Sequence, residues 1–64
     1  MEPVAGISSS PVATFRAITV RDGAAHERDG DPVFAVRGLK EDLVEVLFGD
    51  GIWMLCRTDD LDRP

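Results

Sequence analysis

The stretch LKEDLVEVLFGDGIWMLCR, residues 39–57, decides the fold. Leu39, Leu43, Val46 and Leu47 recur at helical spacing, with Gly49 placed as a C-cap. Val44, Val46 and Phe48 alternate with Leu43, Glu45 and Leu47, which is strand spacing. The flanks favour the strand. Gly38 to Asp42 is a polar connection, and Gly49-Asp50-Gly51 is a tight turn between two apolar runs. The expectation is a hairpin, with Ile52–Arg57 as the partner strand.

Beyond the hairpin, Thr58-Asp59-Asp60-Leu61 breaks the apolar pattern. Thr58 is expected to cap a single 3₁₀ turn, with Asp59 and Asp60 favourable in its positive first turn. Leu61 then folds back as a plug.

Val44, Val46, Phe48, Asp50, Gly51, Trp53 and Leu61 together mark a hairpin, a polar turn and a returning leucine. This pattern resembles the small SH3-like β-barrels. It covers roughly residues 43–61, and the first half of the chain departs from it with a long first strand and a charged loop. The resemblance implies a mainly β fold: a small antiparallel barrel of four to five strands with a short 3₁₀ turn near the C-terminus. It also implies binding of peptides, proteins or nucleic acid. The groove of peptide-binding SH3 domains is rich in aromatics, whereas this chain has one Trp and no Tyr.

Upstream, Val33–Arg37 reads as a short central strand ended by Gly38. Residues 24–32, AAHERDGDP, are polar and read as a loop. Val12–Arg21 reads as one long strand, with Phe15 and Ala17 on one face and Ile18 and Val20 on the other. That switch of face predicts a bulge or bend near Ala17. Residues 1–11 hold Pro3, Gly6, Pro11 and three serines, and read as a flexible arm; residues 12–64 form one domain.

Sixty-four residues make one thin core and no more. A chain this short gains stability from disulfides, metals or association. Cys56 and His26 are each alone in the sequence, so association with a partner or with itself is expected. Seven basic residues face twelve acidic ones, a net charge of -5 that disfavours a phosphate backbone and suits a basic protein surface. No run approaches the ~20 apolar residues of a membrane span. With no secretory signal read and one free thiol, a cytoplasmic location is expected.

The residues assigned to partner binding are Trp53, Met54 and Arg57 on the last long strand, with Asp59 and Asp60 at its end. Trp53 also reads as core, or as half-core with its N–H at the rim. Asp59, Asp60 and Asp62 equally read as capping and solubilising groups. Cys56 reads as a small buried hydrophobe and His26 as a loop residue. No metal or other cofactor is expected: Asp29-Gly30-Asp31-Pro32 lacks calcium-loop spacing, and one imidazole is too few for zinc. No catalytic residue is assigned. The function expected is a small acidic interaction or assembly module. Two alternatives remain open. One is a homo-oligomeric enzyme or subunit with an axial pocket built from Trp53, Cys56, Arg57 and His26. The other is a nucleic-acid module or an acidic nucleic-acid mimic.

Overall fold

The computed structural model describes residues 10–63. The expected N-terminal arm lies, for residues 1–9, outside the described residues. Among the described residues five strands form one antiparallel sheet: β1 (Ala13–Phe15), β2 (Pro32–Lys40), β3 (Leu43–Phe48), β4 (Trp53–Arg57) and β5 (Leu61–Asp62). Their order across the sheet is β4-β3-β2-β1-β5. A 3₁₀ turn, Thr58–Asp60, joins β4 to β5. The mainly β fold and the C-terminal 3₁₀ turn agree with the sequence expectation. The barrel does not close: β4 and β5 remain the two edges of an open sheet.

The ambiguous stretch 39–48 holds no helix: Leu39 and Lys40 end β2, Glu41 and Asp42 turn the chain, and Leu43–Phe48 is β3. Val44 and Val46 face the core with Phe48, and Val44 lies opposite Cys56, Val46 opposite Met54. The turn between β3 and β4 is closed by the Gly51 amide donating to the Phe48 carbonyl at 3.0 Å. Gly51 has φ +86, where a side chain is strained. Asp50 Oδ1 accepts the Ile52 N–H at 3.2 Å and completes the turn.

Three expected boundaries are corrected. Gly38 does not end β2; it lies opposite Val44, and the strand runs on to Lys40 across a bulge at Leu39. Only Glu41 and Asp42 connect β2 to β3, with Glu41 at φ 49, the positive value that two-residue hairpin loops require. The long first strand is the second correction. β1 stops at Phe15 because the next amides find other acceptors. Arg16 N–H donates to the Asp60 carbonyl at 2.7 Å, and Ala17 N–H donates to Asp29 Oδ1 at 2.9 Å. Third, the segment read as a loop contains one helical turn, Gly23–His26 (α1). Asp22 caps it, accepting the Ala24 N–H, and Ala25 is thereby seated in the core.

The core is thin, as 64 residues require. Phe15 and Phe48 meet edge to face, with centroids 5.6 Å apart and planes at 88°. Ala13, Ala25, Val33, Val44, Val46 and Cys56 surround them, and Leu61 packs against the cluster in the returning position expected of it. Arg28 covers the outer side of Phe48, its guanidinium 4.3 Å from the ring centroid and its Nη2 2.8 Å from Asp50.

Candidate functional site

The sheet has a second face, and its apolar residues are separate from the core. Alternation in β4 turns Met54 and Cys56 inward, so Trp53, Leu55 and Arg57 share the outer face. Register adds their cross-strand neighbours: Ala35, Leu47 and Trp53 form one row across β2, β3 and β4, and Arg37, Glu45 and Leu55 form the next. Ala35 and Leu47 are buried on this face, whereas Trp53 is 37% and Leu55 53% exposed. Leu39 at its bulge and Ile52 before β4 are exposed as well.

Electrostatics fix the aromatic. The Arg37 guanidinium lies 4.3 Å from the Trp53 ring centroid. Glu45 Oε1 holds it there, accepting from Arg37 Nε at 2.9 Å and Nη2 at 2.6 Å. Arg57, at the far end of β4, donates from Nη1 to Asp42 Oδ1 at 2.8 Å. The face is thus an apolar strip bordered by ion pairs, with its one large aromatic held by a stacked cation.

The five residues assigned from sequence divide between the two faces. Trp53 and Arg57 lie on the outer face, and Asp59 is exposed on the 3₁₀ turn. Met54 is half-buried against the core. Asp60 is the correction: it is 0% exposed, and its carboxylate holds the chain together internally. Oδ1 accepts the Ile18 N–H at 3.0 Å and the Thr19 N–H at 2.7 Å. Oδ2 accepts the Thr19 hydroxyl at 2.6 Å and the Arg57 N–H at 3.0 Å. Burial alone raises its pKa, but the Thr19, Arg57 and Ile18 donors outweigh burial and hold the carboxyl below the ordinary range. Thr58, expected as the cap, is exposed and gives no side-chain cap; Arg57 occupies that position.

Leu55, Arg37 and Glu45 escaped the sequence reading. The signal available was the alternation of β4, which puts Leu55 beside Trp53 once Cys56 is taken as inward.

The residues of the oligomeric-enzyme reading occupy different settings. Cys56 faces the core; burial, then the charge of Asp60, push its thiol up to about 11. His26 is exposed, and its Nε2 lies 2.9 Å from the Val20 carbonyl oxygen. Among the described residues no three His, Cys, Asp or Glu side chains converge as a metal site. None of the described helices is long and apolar enough to cross a membrane.

The class the geometry defines is a small all-β antiparallel sheet of five strands, compatible with an SH3-like fold. Compared with known protein families, curated proteins and solved structures, the chain matches none.

Proposed function

We propose that the chain is a small protein-interaction module of the SH3-like kind, binding through the outer face of β2–β3–β4 around Trp53. One observation carries this reading: Trp53 and Leu55 stand open side by side on β4, and the indole is held in place by the Arg37–Glu45 pair. A rigid, partly exposed Trp bordered by polar groups is the kind of residue that concentrates binding energy, because little side-chain entropy is lost on docking. Among the described residues, Trp53 and Leu55 stay exposed on this face, with Leu39 and Ile52 at its border.

The arginines support a protein rather than a phosphate partner. Arg16, Arg28, Arg37 and Arg57 are each paired with a carboxylate, so they do not add up to a free basic stripe. A single free cysteine, with no second cysteine to form a disulfide within the chain, is compatible with a reducing compartment such as the cytoplasm.

The test is selection from a displayed library of random peptides, followed by affinity measurement against Trp53→Ala. Loss of a central Trp typically costs at least ~2 kcal/mol, about 30-fold in affinity. The reading is overturned if selected peptides bind the Ala variant equally, or if none is selected.

A further inference from the structure

The two edges of the sheet differ in how they resist strand addition. β5 is two residues long, carries Asp62 and is followed by Arg63. Short, charged edges are poor templates. Among the described residues β4 has no such protection: Ile52 to Cys56 holds no charge and no proline, and Ile52, Trp53 and Leu55 are all exposed.

The edge also has a determined hydrogen-bonding phase. Phe48 N–H donates to the Ile52 carbonyl at 3.0 Å, which makes Phe48–Ile52 a hydrogen-bonded pair. Antiparallel alternation then makes Val46–Met54 and Val44–Cys56 hydrogen-bonded pairs as well. Trp53, Leu55 and Arg57 consequently direct their N–H and C=O groups away from β3. Arg57 bears this out, since its N–H reaches Asp60 Oδ2 instead of β3.

We infer that a second copy of this chain docks on β4, strand to strand and antiparallel, about a two-fold axis at Met54. This deepens the reading of β4 as an interaction surface and rests on it. In this register Trp53 pairs with Leu55 of the second copy, and Leu55 with its Trp53, through four backbone hydrogen bonds. The exposed indole and leucine cover each other on the outer face. A register centred on Leu55 needs the Arg57 N–H, which Asp60 already holds.

Local charge at the ends of the contact suits a second copy, against the net charge of -5 that each copy carries. The register sets Arg57 opposite Gly51 of the second copy and beside its Asp50, at both ends of the contact. Both side chains are 53% exposed, and the contact would let Asp50 share itself between Arg28 and the new arginine, and Arg57 between Asp42 and the new carboxylate. The contact is that of one short strand, smaller than the ~1,200 Å² of a standard interface, so a weak dimer is expected and is sought between about 10 µM and 1 mM.

Sedimentation equilibrium of the full chain over that concentration range is the test. The expected result is a rise from one chain mass towards two. Leu55→Lys, which puts a charge on an exposed edge position, should remain monomeric with its urea midpoint kept. Arg57→Glu should weaken the dimer several-fold, and Asp50→Lys added to it should restore association. A monomer at every concentration overturns the inference, as does a dimer indifferent to Leu55→Lys, or a charge swap without rescue in a double variant that keeps its urea midpoint. Peptide binding lost with Trp53→Ala, in a chain that stays monomeric, would leave the interaction reading standing without the second copy.

Discussion

Replacing Asp60 should cost this chain most of its stability, although the residue lies in a turn between two short strands. Its carboxylate is fully buried and accepts four hydrogen bonds, three of them from Ile18 and Thr19 and one from Arg57. It therefore ties the irregular segment after β1 to the end of β4. Hydrogen bonds to a charged group contribute about 1.5–3 kcal/mol each. Four of them do not sum, because Ile18 and Thr19 are exposed and their amides regain water when the carboxylate is gone. Asp60→Ala should cost about 3–5 kcal/mol, the usual cost of breaking a buried charged network. A 64-residue domain has about 3–10 kcal/mol in all. Asp60→Asn should cost about 2–4 kcal/mol: its oxygen still accepts from Ile18 and Thr19, but its amide N–H₂ faces the Arg57 donor. Urea unfolding followed by Trp53 fluorescence reads both variants. The acid limb gives an independent check. The folded pKa of Asp60 is depressed, so its stabilisation is present above the unfolded value near ~3.9 and is lost as pH falls through the folded pKa. Asp29 and Asp50 are also held low, Asp29 first by the Ala17 N–H and Asp50 first by Arg28, so wild-type acid sensitivity has several sources. Asp60→Asn should flatten the limb without abolishing it. An Asn variant with the wild-type urea midpoint and the wild-type acid course would refute the account of Asp60 as the latch.

Other perturbations address the turn, the core and the thiol. Gly51→Ala should lower stability by about 1 kcal/mol through backbone strain alone, since a Cβ there meets nothing within 4 Å; the urea midpoint measures it. Phe15→Ala removes a fully buried ring from the edge-to-face pair with Phe48 and should cost about 3–5 kcal/mol, leaving the chain largely unfolded by near-ultraviolet circular dichroism. Cys56, with its thiol pushed up to about 11, should resist a thiol-specific disulfide reagent at pH 8 in the folded chain and react fully in urea. Prompt reaction of the folded chain would place the thiol outside the core.

The second half of the chain was largely legible because its structure is local. Val44, Val46 and Phe48 alternate on one face, and Gly51 accepts the positive φ that the turn requires. The polar Thr58-Asp59-Asp60 segment interrupts the strands as a 3₁₀ turn. The first half was less legible because distant groups decide it. The strand pattern of Val12–Arg21 is real as a pattern, but a carboxylate from Asp29 and another from Asp60 take the amides of Ala17, Ile18 and Thr19. One helical turn at Gly23–His26 is too short to show a period, and only Asp22 before two alanines announced it.

The sequence by itself determined a mainly β chain with a C-terminal hairpin, since side-chain alternation and glycine backbone freedom act over a few residues. The tertiary structure decided the roles of Asp60 and Trp53. The donors to Asp60 from Ile18 and Thr19 lie 42 and 41 residues away, so a solvated acid in the sequence becomes the buried latch of the fold. Trp53 has the apolar character of a core residue. Met54 and Cys56 occupy the inner face of β4 instead, and strand geometry then leaves the indole on the outer face, beneath Arg37 and beside Leu55.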